Sequence, residues 1–306
     1  MTPVFLWTDI MIWGLFILLV IGIRQIKKDP QKRQQWRSVF QSKTAIASIL
    51  VLVVYFFIAL LDSTHFKIDR TDNSTNHKEL SSILDLGLQH LIANSERTYS
   101  APFALTEYSS SIAYEESGKV KQVYLPLKHV AQHIDMNPDL VVFDVFTQFT
   151  WALLVTLGIM LFLTAIHGYF YVKYLATGIV EPKNRALPWL TAYITLFLIL
   201  LISITLYKLS FDYHVLGTNK VGEDVLYNSL KSIRTGVLIG GLTTIVMLPL
   251  ALILGISAGY FKGWIDDLIQ YFYTTLNSIP GVLLIAAAVL VMQSIMGNHP
   301  EWFGST

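Results

Sequence analysis

The sequence predicts an all-α integral membrane protein of about six transmembrane helices, with a small α+β extracytoplasmic domain inserted between the second and third. Two observations predict it. Of 306 residues, 53% are apolar and only 14% charged, with a mean hydropathy of +0.52, whereas soluble domains carry about 25% charged residues. The charges are also gathered into a few segments, between apolar stretches of about twenty residues, the helix length that crosses a hydrocarbon core roughly 30 Å thick. These features exclude a soluble enzyme, a disordered tail, a fibrous repeat and a disulfide-stapled secreted domain. A net charge of +1 offers no concentrated basic face for nucleic acid. The chain has no cysteine, which removes disulfides, thiolate chemistry and cysteine metal sites.

The apolar stretches fall at about 6–23, 44–61, 146–172, 186–207, 235–258 and 268–296. The first, LWTDIMIWGLFILLVIGI, has no Lys or Arg before it and no small-x-small site after it, so it reads as an uncleaved anchor. Connection 24–43 holds Arg24, Lys27, Lys28, Lys32, Arg33, Arg37 and Lys43 against Asp29 alone. Connection 173–185 holds Lys173, Lys183 and Arg185 against Glu181. By the positive-inside rule both face the cytoplasm. Segment 62–145, with seven basic and twelve acidic residues, then lies outside. The alternation puts the N-terminus outside, 208–234 outside, 259–267 inside and the last residues outside. Only 259–267, with Lys262 against Asp266 and Asp267, lacks a basic bias.

Four regions follow: 1–61, a transmembrane pair with a basic cytoplasmic loop; 62–145, the extracytoplasmic domain; 146–185, a third helix and its cytoplasmic loop; and 186–306. Within the domain, TDNSTNHKE is polar and loop-like, and LSSILDLGLQHLIA reads as a helix with Ile83, Leu84, Leu86, Leu88, Leu91 and Ile92 apolar. SIAYEESGKVKQVYLPL reads as two strands joined at Ser117-Gly118.

No catalytic residue, cofactor-binding site or metal site is assigned. The chain has no G-x-x-x-x-G-K-[ST] phosphate loop, H-E-x-x-H, G-x-S-x-G or strand-linked dinucleotide fingerprint. Any energy source therefore belongs to a partner. His129 and His133 have the i, i+4 spacing of paired ligands on a helix, with Asp135 and Asp139 nearby, but Pro126 and Pro138 bracket them. A solvated polar face is the ordinary reading, and a metal site the lesser one. Asp9 and His167 sit within a turn or two of span ends, where they reach headgroups or water. Gly236-x-x-x-Gly240 and Gly255-x-x-x-Gly259 suit close helix approach. Pro249 and Pro280 fall inside the fifth and sixth apolar stretches. Thr274, Thr275, Asn277 and Ser278 precede Pro280, and a polar, kinked half-helix suits a transport path as well as it suits buried packing.

Segment 214–234, HVLGTNKVGEDVLYNSLKSIR, can turn at Gly217 and Gly222. Asp224 then sits at the start of a short amphipathic helix carrying Leu226, Leu230 and Ile233. The run HVLGTNKVGEDVLYNSLKSIRTGVLIG, then AGYFKGWIDD, then the span holding NSIPGVLL, resembles the inner-membrane permease subunits of the dipeptide, oligopeptide and nickel class of ABC importers. Those permeases carry LGTD-x-x-GRDV before their second helix, GY-x-GGW-x-D after it, and a proline in the third.

The resemblance covers about 186–296, and its signature falls on Leu216, Gly217, Thr218, Gly222, Asp224, Gly259, Tyr260, Gly263, Trp264 and Asp266. Asn219 stands where the acid is usual, Glu223 where an arginine is usual, and Lys262 where a glycine is usual. The resemblance implies a multi-pass inner-membrane protein, without enzymatic activity, that carries peptides or related small solutes. It works with a second permease, cytoplasmic ATPase subunits, an extracytoplasmic solute-binding protein and membrane lipid. Asn277, Ser278 and Pro280 become candidates for the translocation path. Residues 1–185 lie outside the family core, and no segment resembles the ATPase-docking loop. The expectation is therefore a fragment, or the N-terminal half of a split permease, with 186–306 the first half of the core. The alternative is a membrane sensor or scaffold. Its longest inside segment, 24–43, is too short for a cytoplasmic output domain.

Overall fold

The computed structural model describes residues 2–4, 6–72, 75–114, 120–134, 137–176 and 188–299. They divide into two units, Met1–Ile239 and Gly240–Thr306.

In the first unit, β1 (Thr2–Val4) leads into α1 (Trp7–Lys28), α2 (Pro30–Gln41) and α3 (Lys43–Asp62). There follow β2 (His65–Asp72), β3 (Thr75–Ser82), α4 (Ile83–Gly87), α5 (Gln89–Ala93), β4 (Thr106–Tyr114) and β5 (Val120–Pro126). A 3₁₀ turn at Gln132–Ile134 precedes α6 (Pro138–Ala176) and α7 (Trp189–Leu209), and α8 (Val225–Phe261) runs on into the second unit. That unit continues with α9 (Trp264–Ser278) and α10 (Gly281–Asn298). Among the described residues, six helices are long and apolar enough to cross a membrane: α1, α3, α6, α7, α8 and α10. The chain is an all-α membrane protein carrying two small antiparallel sheets, ordered β1-β2-β3 and β4-β5.

The structure corrects several sequence expectations. Of the polar run 71–79, read as a loop, residues 71–72 and 75–79 lie in strands β2 and β3, with Thr71 opposite Asn76 and Asp72 opposite Thr75, and 73–74 lie outside the described residues. An antiparallel ladder needs backbone pairing, which composition does not report. The helix expected over 80–93 is two short helices broken at Leu88. Ser82 caps the first by accepting from the Asp85 amide at 3.1 Å. The expected β4–β5 hairpin is present, while its Ser117-Gly118 turn lies outside the described residues. So do Asp135 and most of the 173–185 connection. The amphipathic helix after Asp224 and the fifth span are one continuous helix of 37 residues, with Pro249 inside it. The sixth apolar stretch is two helices, separated at Ile279–Pro280. A Cβ on Gly236, Gly240, Gly255 or Gly259 would meet no atom within 4 Å, so the described chain does not make the close approach these glycines allow.

Two apolar clusters organise the first unit. Leu127, Val130, Ala131, Leu209, Tyr213 and Val215 are buried together, with Val141, Val145 and Leu206 packed against them. This joins the end of β5 to α6, α7 and the chain after α7. Leu88 and Leu91 pack on Leu226, with Leu84 and Leu230 alongside, fastening α4–α5 to the start of α8. Each buried leucine contributes about 1.5–3 kcal/mol, so α8 is anchored at its origin by side chains from residues 84–91.

Candidate functional site

The connection from α7 to α8, residues 210–224, is a built turn. Asn219 Oδ1 accepts from the backbone amides of Val221 at 2.9 Å and Glu223 at 3.0 Å, and the Gly222 amide donates to the Asn219 carbonyl at 3.0 Å. Asp224 ends the turn by capping α8: its Oδ1 accepts from the Leu226 amide at 2.7 Å, satisfying one of the free N–H groups of a helix start.

This turn lies against residues 96–103. The Glu96 amide donates to the Gly222 carbonyl at 2.8 Å, and the Phe103 amide to the His214 carbonyl at 3.1 Å. Thr218 Oγ1 donates to the Thr98 carbonyl at 2.7 Å. Gly217 and Gly222 have φ of 75° and 82°, and a Cβ on either would overlap a carbonyl oxygen, of Ser100 and Glu96 respectively. Both glycines are therefore fixed twice over, by conformation and by the backbone pressed against them.

His214 is buried at the centre, its Nδ1 2.7 Å from Asp224 Oδ2. A carboxylate only accepts, so Nδ1 carries the hydrogen. Its Nε2 faces Glu96 Oε1 at 3.8 Å, and the Glu96 carboxylate accepts from the amides of Lys128 and His129 at 3.0 and 2.8 Å. Glu223 is held below the usual carboxylate range by hydrogen bonds from Asn228 and Asn219.

One face of α8, carrying Tyr227, Lys231 and Arg234, forms a second polar tie. Lys231 Nζ lies 2.8 Å and the Tyr227 hydroxyl 2.8 Å from Asp85 Oδ1. Burial raises the Asp85 carboxyl, but the hydrogen bonds from Lys231, the Ser82 amide and Tyr227 outweigh it and leave it below its ordinary value. Arg234 Nη2 donates to Asp9 Oδ1 at 2.7 Å and also bonds Thr8. Asp9 Oδ2 lies 3.0 Å from His65 Nδ1. Asp62 Oδ1 accepts from Ser82 Oγ at 2.9 Å, and its Oδ2 faces Arg234 Nη1 at 3.7 Å. Asp9 is fully buried, not in contact with water or headgroups as its place near a span end suggested.

His129 and His133 do not share a helix face, because the backbone between them turns through a positive φ at Ala131. His133 instead faces Asp144 at 3.0 Å, and His129 offers its backbone amide to Glu96. His167 bonds the Tyr193 hydroxyl and stacks near Trp189, joining α6 to α7.

In the second unit, α8 gives way to α9 at Lys262 and Gly263, with φ of 51° and 59°. Two successive left-handed residues explain why the resembling turn favours glycines here. Tyr260 and Trp264 flank the turn and are exposed, while Asp266 accepts from Gln270 at 3.0 Å. Pro280 is not inside a helix: it stands at the N-cap of α10, and its carbonyl accepts from the Leu283 amide at 2.9 Å. Its missing N–H leaves no helical bond broken. Asn277 and Ser278 close α9, with Ser278 Oγ bonded to the Thr275 carbonyl at 2.6 Å. Leu216–Asp224 thus form one assembled turn, whereas Gly259–Asp266 and Asn277–Pro280 are separate features of the second unit.

Sequence reasoning passed over Glu96, Ser100, Asp62 and Asp85, the partners that hold this turn and the start of α8. The available signal was charge: Lys231 and Arg234 precede an apolar span, and carboxylates stand at the ends of two others.

Over 85 residues the chain is 34% identical to the glutathione transport system permease protein GsiD of Pectobacterium atrosepticum, covering 28% of each chain. Over 73 residues it is 34% identical to the oligopeptide transport system permease protein OppC of Mycobacterium bovis and of Mycobacterium tuberculosis, covering 24% of this chain and 25% of theirs. These curated homologues are ABC permeases. The chain spans about a quarter of the length of the curated relatives it matches. No family model and no solved structure matches it.

Proposed function

We propose that this chain is a permease subunit of a binding-protein-dependent ABC importer for peptides or related small solutes, resident in the inner membrane. The observation that carries the reading is its 34% identity to GsiD and OppC, which are transport permeases by name. The six apolar helices are consistent with it. Its partners would be a second permease, cytoplasmic ATPase subunits that hydrolyse ATP, and an extracytoplasmic solute-binding protein. Residues 62–145 would be the extracytoplasmic domain on which the 210–224 turn rests.

Asn277, Ser278 and Pro280 would shape the translocation path. At the break between α9 and α10 the chain cannot continue helical bonding through Pro280, and backbone groups left free at membrane depth are tolerated only against protein or a water-filled cavity. Polar side chains beside such a break suit a path for a hydrated solute.

The test is uptake of labelled peptides by cells carrying the full transport system. Deleting the gene for this chain should abolish uptake, and Pro280→Ala or Ser278→Leu should reduce it in a complex that still assembles. Unimpaired uptake in the deletion strain overturns the reading. Unimpaired uptake in both variants removes these residues from the path.

A further inference from the structure

Helix α2 has a place that the transport reading does not use and does not decide. It is joined to α1 by Asp29 alone and to α3 by Ser42 alone. Both neighbours are candidate spans, and they lie side by side, with Phe16 stacked on Phe56 at a centroid distance of 6.2 Å. At twelve residues α2 is roughly 18 Å long, too short to cross a core about 30 Å thick. Its two ends are therefore fixed at the same membrane face.

Every residue of α2 is exposed. Trp36 and Phe40, one turn apart, bring their rings to 6.3 Å, and Val39 lies between them on the helix. These three apolar side chains leave 44%, 44% and 38% of their surfaces uncovered for Trp36, Val39 and Phe40. Beside them run Lys32, Arg33 and Arg37, with Lys27 and Lys28 closing α1 and Lys43 opening α3. The single acid, Asp29, is already engaged: it caps α2 through the Gln31 amide at 3.0 Å and meets Lys32 at 3.6 Å. The cations on and beside α2 thus face one neutralised acid.

We propose that α2 is an interfacial helix that binds anionic phospholipid. Trp36, Val39 and Phe40 enter the boundary between headgroups and acyl chains, and Lys32, Arg33 and Arg37 hold headgroup phosphates, with Lys27 and Lys28 beside them. Apolar burial and attraction to an anionic surface act together on such a helix. The charge selects the lipid class, because a zwitterionic headgroup brings its own cation to the site.

The test uses the full chain in mixed micelles, titrated with phosphatidylglycerol or phosphatidylcholine, with retained lipid counted by native mass spectrometry. Phosphatidylglycerol should bind about tenfold or more tightly, since each basic residue near an anionic surface adds about a fivefold preference. The variant Lys32→Gln/Arg33→Gln/Arg37→Gln should lose that preference while keeping its unfolding temperature. Trp36→Ser/Phe40→Ser should weaken retention of both lipids. A preference unchanged in the charge variant, or none in the wild type, overturns the proposal. Inorganic phosphate should not displace the lipid, and full displacement would make this a free-phosphate site instead. A photocrosslinking side chain at position 39, activated in native membranes, should label lipid. A protein adduct in its place would also overturn it.

Discussion

Arg234 Nη2 donates to Asp9 Oδ1 at 2.7 Å across 225 positions of sequence, and Asp9 is completely shielded from solvent. The contact binds the first helix to the early turns of α8. Arg234 also faces the buried Asp62 at 3.7 Å, so one guanidinium compensates two buried carboxylates.

Removing that cation should cost more than removing either anion. Arg234→Ala leaves Asp9 and Asp62 without their positive partner, and breaking a buried ion pair this way costs about 3–5 kcal/mol. Asp9→Asn keeps the Arg234–Asp62 contact and should cost less. Thermal unfolding of the full chain in detergent checks the order. Equal losses would mean that Asp62 does not depend on Arg234.

Gly222→Ala should free the α7–α8 connection from residues 96–103. The added methyl would overlap the Glu96 carbonyl oxygen, and φ of 82° is itself unfavourable for alanine. The conformational strain alone is about 1–3 kcal/mol. Hydrogen exchange should show the Glu96 amide, now donating to the Gly222 carbonyl, losing protection. Retained protection would mean that the turn absorbs the methyl by shifting.

How far the sequence could be read depends on the range of the force concerned. Apolar runs report directly on candidate spans, because crossing lipid needs length and hydropathy; five of the six were legible this way, while the sixth stretch holds the end of α9 as well as the span α10. The glycines and Asp224 of the α7–α8 turn were legible too, since turn and cap chemistry is local. What lay opposite them was not. Nothing in the order of residues joins Glu96 to Gly222 or Asp9 to Arg234, because those contacts follow from tertiary placement. The strands at 65–82 failed for a related reason: polar residues are held in a ladder by backbone pairing. Pro280 reads as lying inside the sixth span, whereas it opens α10, because the backbone at Ile279 is extended and ends α9 before it.

Acidification should destabilise the first unit in two stages. His90 stacks on Phe211 at 4.0 Å and bonds Ser210 Oγ at 2.8 Å, and burial holds its imidazole below the ordinary value of 6.5 despite the charge of Asp224. The folded state therefore binds the proton less readily than the unfolded one. That contribution is complete above pH 6.5 and is lost as the pH falls from there through the lowered value. Asp85, lowered from 3.8, behaves the same way at more acid pH, its contribution fading below 3.8. Unfolding temperature measured against pH should fall first below about pH 6.5. His90→Phe, which keeps an aromatic ring against Phe211, should flatten that first stage and leave the second. An unchanged first stage would exclude His90 as the group responsible.

The two departures from the resembling LGTD-x-x-GRDV segment touch one another. Asn219 Nδ2 donates to Glu223 Oε2 at 3.0 Å, while Asn219 Oδ1 accepts the Val221 and Glu223 amides that shape the turn. Where the resembling segment carries an acid and an arginine, this chain carries an amide and an acid, which match as donor and acceptor. Asn219→Asp alone keeps the backbone acceptor but sets two carboxylates side by side, so it should destabilise. Glu223 is exposed and Asn219 half-buried, and solvent at this surface pair limits the loss to a few tenths up to about 1 kcal/mol. Glu223→Arg alone turns the Asn219 amide toward a cation and should also destabilise slightly. Asn219→Asp/Glu223→Arg should recover the loss by restoring an opposite-charge pair. A double-mutant cycle on unfolding temperature measures the coupling, and its stabilising part should shrink with added salt. Additive single effects, with no coupling beyond error, would show that the two positions vary independently.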